Sequence, residues 1–133
     1  MNHSLLTRLS LATMVAVLLG AAASAHHSFG ATYDTAKEKE MKLQGKLVQF
    51  AYRNPHSFVH IEAPDKSGTV QRWAIEWGGT AQLTGQGVNR DTLKVGDKVT
   101  VTGAAAAKDG TNAGGSMPTT SMTLADGQKL VMR

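Results

Sequence analysis

Ser57-Phe58-Val59-His60-Ile61-Glu62-Ala63 alternates without a fault: Val59, Ile61 and Ala63 fall on one side, and Phe58, His60 and Glu62 on the other with His56 just ahead. Apolar residues at every second position mark a half-buried strand. Pro64-Asp65-Lys66-Ser67-Gly68 then reads as a turn. Thr69 to Trp77 resumes the period, with Trp73, Ile75 and Trp77 opposed to Arg72, Ala74 and Glu76. Folded back as a hairpin, the two strands must keep Val59 and Ile61 on the face of Trp73 and Ile75, because a one-residue slip turns one set to water. Two registers satisfy that condition. One sets His56 against Glu76; the other sets Phe58 against Glu76 and Glu62 against Arg72. In both, His56 and Glu76 share a face within a pair or two of each other.

The pattern extends outward from this hairpin. Upstream, Leu43 to Tyr52 reads as another strand with Gly45 as a candidate bulge, and Arg53-Asn54-Pro55 interrupts it because proline cannot donate to a ladder. Residues 26–42 form an arm in which the charged stretch Thr35 to Lys42 suits a helical turn. Downstream, Gly78-Gly79 breaks the alternation, and Thr80 is expected to cap a short helical segment through Leu83. Leu93 to Gly103 reads as a turn followed by a strand. Ala104 to Gly115, rich in alanine and glycine, reads as a mobile loop. A last hairpin covers Thr119 to Leu124 and Lys129 to Met132 about a turn at Asp126-Gly127, with Leu124 expected opposite Leu130 and Met122 opposite Met132. Short strands, glycine-rich turns and one helical insertion predict an all-β domain over residues 43–133. The expected architecture is a small five- to six-stranded, OB-like, partly open barrel, with a β-sandwich as the competing one.

The front of the chain carries an address. Arg8, the apolar run Leu9 to Leu19 and Ala23-Ser24-Ala25 make the three parts of a secretory signal peptide over residues 1–25. The apolar run falls short of the ~20 residues a bilayer-spanning helix needs. The expected product is therefore soluble, exported and periplasmic, without a membrane attachment after cleavage. Of the 133 residues, 108 remain once these 25 are removed, enough for one domain. Fourteen basic residues, less Arg8, stand against ten acids and are scattered along the chain, which argues against a nucleic-acid partner. No cysteine is present, so disulfides, thiolate metal sites and a thiol nucleophile are excluded.

Several short motifs occur in a fixed order: His26-His27-Ser28-Phe29, Tyr33-Asp34, Gly45, Asn54-Pro55-His56, Trp73-x-x-Glu76 and Lys94-x-Gly96-Asp97-x-Val99. Together they resemble a family of small exported bacterial proteins of unknown function (DUF6152), and the resemblance runs through the whole mature chain. Trp77-Gly78-Gly79-Thr80 departs from relatives that place a proline soon after the glutamate. The resemblance implies no activity; it bears on fold and site positions alone.

Four histidines survive cleavage: His26, His27, His56 and His60. An amino-terminal His26 offers its α-amine and ring nitrogen to one metal ion, and nitrogen donors suit copper, nickel and zinc. This defines the first candidate site: a copper-type divalent ion on His26 and His56, with His27 as a further nitrogen and Glu76 as a nearby carboxylate or supporting partner. His60 lies roughly 13 Å from His56 along an extended strand, too far to share that ion. The alternatives stay open at this level. His56 can equally serve the turn after Asn54-Pro55, and Glu76 can equally pair with Arg72 on the outer face. A second reading is a metal-independent module whose face of Phe58, His60 and Tyr52 takes a peptide, glycan or protein partner. No catalytic triad, carboxylate pair or phosphate loop is visible, so an enzyme is not expected.

Overall fold

The structure is a computed structural model that describes residues 29–36 and 40–133. Residues 29–32 are helical and fall outside the compact unit Tyr33–Arg133. That unit contains strands β1 (Tyr33–Asp34), β2 (Glu40–Ala51), β3 (Ser57–Pro64), β4 (Val70–Trp77), β5 (Lys98–Ala107), β6 (Ala113–Gly115), β7 (Ser121–Leu124) and β8 (Lys129–Val131). A single short helix, α1 (Thr80–Gly85), follows β4.

Neighbouring strands run β2-β3-β4-β6-β5, and β5 pairs back onto β2, so five strands close into a barrel. Strands β7 and β8 extend the outer edge of β5, and β1 adds to its end. The expected OB-like barrel is present, with its ring closed rather than partly open. The core holds Leu47, Val59, Ile61, Ile75, Trp77 and Val101, all but fully buried. These are the in-phase residues of the alternating strands. Trp77 stacks near Phe50, with ring centroids 6.2 Å apart. Trp73 sits only half-buried, its indole N–H donating to the Ala63 carbonyl at 3.1 Å.

The long strand β2 serves two neighbours in turn. Residues 40–46 pair with β5, and residues 46–51 pair with β3. Its register shifts lie between Met41 and Lys42 and between Leu47 and Gln49, not at Gly45. Gly45 instead marks a close approach, since a Cβ there would collide with the Glu62 carbonyl. The second shift is pinned from outside: Leu47 N donates to Asp97 O at 2.8 Å, and Gly96 N donates to Leu47 O at 2.9 Å. Gly96 takes φ +99°, a left-handed value that favours glycine. The Lys94-x-Gly96-Asp97 turn therefore locks the bend in the barrel's longest strand.

Further expectations need correction, beginning with the helical turn expected over Thr35 to Lys42, since β2 already starts at Glu40. Ala104 to Gly115 is not a loop throughout: Ala104 to Ala107 continue β5, and Ala113–Gly115 form β6, which closes the ring. Small side chains make that closure possible, because a Cβ on Gly114 would meet Ala105 O at 3.0 Å and Ile75 Cδ1 at 3.1 Å. The final hairpin pairs Met122 with Leu130 and Ser121 with Val131, two residues from the expected register. Faces are preserved by the even shift, and Met132 N is drawn to Thr120 O at 2.8 Å instead. Finally, Thr80 does not cap α1. Gly79 is the capping residue and makes no side-chain bond; Thr80 donates through both its amide and its hydroxyl to Asn54 Oδ1, each at 2.9 Å.

Candidate functional site

The β3–β4 hairpin adopts the second of the two registers: Phe58 opposes Glu76, His60 opposes Ala74, and Glu62 opposes Arg72. His56 sits one residue before β3, on the corner that Asn54 ties to α1. Gly79 packs under this corner so closely that a Cβ would lie 2.7 Å from the Pro55 carbonyl. From there His56 reaches Glu76, with Nδ1 2.5 Å from Oε1. The other carboxylate oxygen, Oε2, accepts from the Tyr33 hydroxyl at 2.6 Å. Sequence pairing brought His56 and Glu76 together; Tyr33 is the member it missed.

Tyr33 arrives on the two-residue strand β1, whose partners are Ala106 and Ala107 of β5. Between β1 and β4 the sheet passes through β5 and β6, where the paired residues are Ala105, Ala106, Gly114 and Gly115. No bulky side chain from those pairs separates phenol from carboxylate. Tyr33 as a residue is 6% exposed. Burial pushes its pKa well above the ordinary tyrosine value, and the Glu76 hydrogen bond and the negative charges of Glu76 and Asp109 add to the rise. Tyr33 therefore keeps its hydroxyl proton and donates a hydrogen bond to Glu76.

An ionised carboxylate can only accept hydrogen bonds. With Oε1 accepting, Nδ1 of His56 is the donating ring nitrogen, and Nε2 is the one turned away from the carboxylate. The His56 side chain is 56% exposed against 19% for Glu76, so the outer edge of the imidazole meets solvent while its inner edge is held. A carboxylate that fixes one ring nitrogen raises the basicity of the other and aims it, the arrangement found behind metal-bound histidines. Among the described residues, no three histidine, aspartate or glutamate side chains converge into a complete metal cage. His26 and His27 lie outside the described residues.

The remaining predicted residues separate into two groups. Tyr52 turns toward α1, its hydroxyl 3.1 Å from Thr80 O and 2.7 Å from Thr84 Oγ1. Phe58 and His60 stand on the outer face of β3, half-buried, with ring centroids 6.4 Å apart. The Arg53 guanidinium lies over the Phe58 ring, 5.2 Å from its centroid. Partial burial holds the His60 pKa below its ordinary value, and the charges of Arg72 and Arg53 lower it further. Arg72 does not pair with Glu76 but donates to Gln49 Oε1 at 2.7 Å.

The family of unknown function DUF6152 matches residues 14–116, and the chain belongs to that family. No curated protein and no solved structure matches the chain. Among the described residues, no helix is long and apolar enough to cross a membrane.

Proposed function

We infer that this is an exported, periplasmic binding protein whose ligand is a copper-type divalent ion held through Nε2 of His56. The observation that carries the reading is the hydrogen-bonded chain Tyr33–Glu76–His56, which holds Nδ1 of the imidazole on the carboxylate and leaves Nε2 as its other edge. After removal of residues 1–25, the amine and ring of His26 supply two further nitrogens, and His27 is available as another. Glu76 supports His56 and does not itself need to touch the ion. Copper(II) is favoured over zinc by the order of divalent affinities and by the nitrogen donor set.

Copper(II) titration of the processed chain, followed by electron paramagnetic resonance, tests the reading. One ion per chain is expected with a nitrogen-dominated signal. The site is expected to be lost in His56→Ala and in a chain extended by one residue before His26. Glu76→Gln is expected to weaken binding about 10–100-fold, the usual effect of removing a ligand's supporting carboxylate. A wild type that takes up no copper, or affinity unchanged in both His56→Ala and the extended chain, overturns the metal reading. A metal-independent module for a peptide, glycan or protein partner then stands in its place.

A further inference from the structure

We propose that the cleft where β2 parts from β3 binds a single-chain anionic lipid, its head between Lys46 and Lys98 and its tail along Pro64, Val70 and Leu124. The proposal is independent of any metal on His56. Strand β2 pairs with β3 over residues 46–51 and with β5 over residues 40–46, so Lys46 belongs to both pairings. Past the Lys46–Glu62 pair, Ala63 and Pro64 run on without a partner in β2. A cleft of about 480 Å³ opens there, within the range of roughly 300–1,000 Å³ typical of small-molecule sites.

The cleft carries an excess of positive charge at one end. Lys46 and Lys98 are both exposed and stand directly opposite each other across β2 and β5, a placement in which like charges repel. Among the described residues neither ammonium forms an ion pair. Glu62 is the one acid among the lining residues, and it is opposed by Lys46 on one side and by Arg72 on the other. The cross-strand row Lys98–Lys46–Glu62–Arg72 therefore holds three cations against one acid, with Lys98 the farthest from it. An anion between Lys46 and Lys98 relieves their repulsion. Thr100 and Thr123 face each other and line the same cleft, and among the described residues no side chain engages their hydroxyls, which are available to donate to that anion. The rest of the wall is aliphatic. Val70 is 64% exposed, Leu124 is only partly buried, and Pro64, Ala63 and Ala125 lie beside them. No aromatic ring is among the lining residues, so a ligand that binds by stacking finds no platform, whereas an aliphatic tail needs none.

Calorimetric titration of the processed chain with decanoate, kept below its micelle concentration, tests this. Saturable binding is expected, and octanoate is expected to bind more weakly, by up to about fourfold for each methylene removed. Lys46→Gln and Lys98→Gln are each expected to weaken decanoate about tenfold, which is what losing one charge-assisted contact amounts to. Both substitutions are on exposed side chains and remove a like-charge repulsion, so a thermal midpoint at or above that of the wild type confirms that each variant is folded. His56→Ala is expected to leave the affinity as it is. Decyl maltoside and decyltrimethylammonium, which put a neutral and a cationic head on the same tail, serve as controls and are expected to bind less tightly. Absence of saturable decanoate binding, an affinity independent of tail length, indifference to both lysine substitutions, a loss in His56→Ala as large as theirs, or equal or tighter binding of either control overturns the proposal.

Discussion

The carboxylate of Glu76 accepts from His56 through one oxygen and from Tyr33 through the other, so it is satisfied on both sides while still largely sheltered. Removing the phenol leaves Oε2 without its donor. Tyr33→Phe is accordingly expected to cost about 1.5–3 kcal/mol, the range for a hydrogen bond to a charged group, in urea unfolding near neutral pH. The same residue sets an alkaline limit. Its folded pKa is raised above the ordinary 10.0, so its stabilising contribution is complete below that pH and is lost as pH rises beyond it. Stability is expected to fall more steeply above pH 10 in the wild type than in Tyr33→Phe, and absorbance at the tyrosinate band checks which phenol ionises late. His56 and Glu76 were legible in the sequence because strand alternation leaves only two registers, both of which join them. Tyr33 was not legible: a strand of two residues has no period to read, and its partners are alanines that sequence pattern assigns to a loop.

At the scale of elements, the difficulties gather where side chains are smallest. Alternation works by contrast between large apolar and polar residues, and Ala104 to Gly115 has no apolar side chain larger than alanine. That stretch nonetheless makes the end of β5 and all of β6, because alanine and glycine let three strands approach closely. Gly114→Val is expected to destabilise the fold by roughly 1–3 kcal/mol, the usual cost of overpacking. Met41, Ala105 and Ile75 already occupy the space beside it. Thermal unfolding compared with Gly110→Ala separates crowding from conformation, since Gly110 has open space around it but takes φ +75°. A Gly114→Val variant as stable as wild type would remove β6 from the packed wall. Thr80 and Gly45 were misassigned for a related reason: the residues that decide their roles, Asn54 and Glu62, lie far away in sequence.

For the whole molecule, the hydrophobic ledger rests on the two strands that opened the reading. Val59, Ile61, Ile75 and Trp77 are buried to within about one percent, and they face Leu47 and Val101 from the other walls. Ile61→Ala is expected to cost about 2–5 kcal/mol by cavity formation, measured as a shift in urea midpoint with unchanged slope. The all-β class and the barrel were legible because four strands carry strong period-two patterns. Closure was not, since it depends on three glycine- and alanine-rich residues that alternation cannot detect.

Those three residues also bear on the imidazole. Segment 112–116 grips β4 at two points: Ala74 N donates to Asn112 O at 2.9 Å, and Ser116 N donates to Glu76 O at 3.0 Å. Glu76 therefore stands on the strand that closes the ring through the three-residue pairing with β6. Wherever the cylinder first parts, as short pairings do before long ones, the acid that steadies His56 is carried with the opening edge.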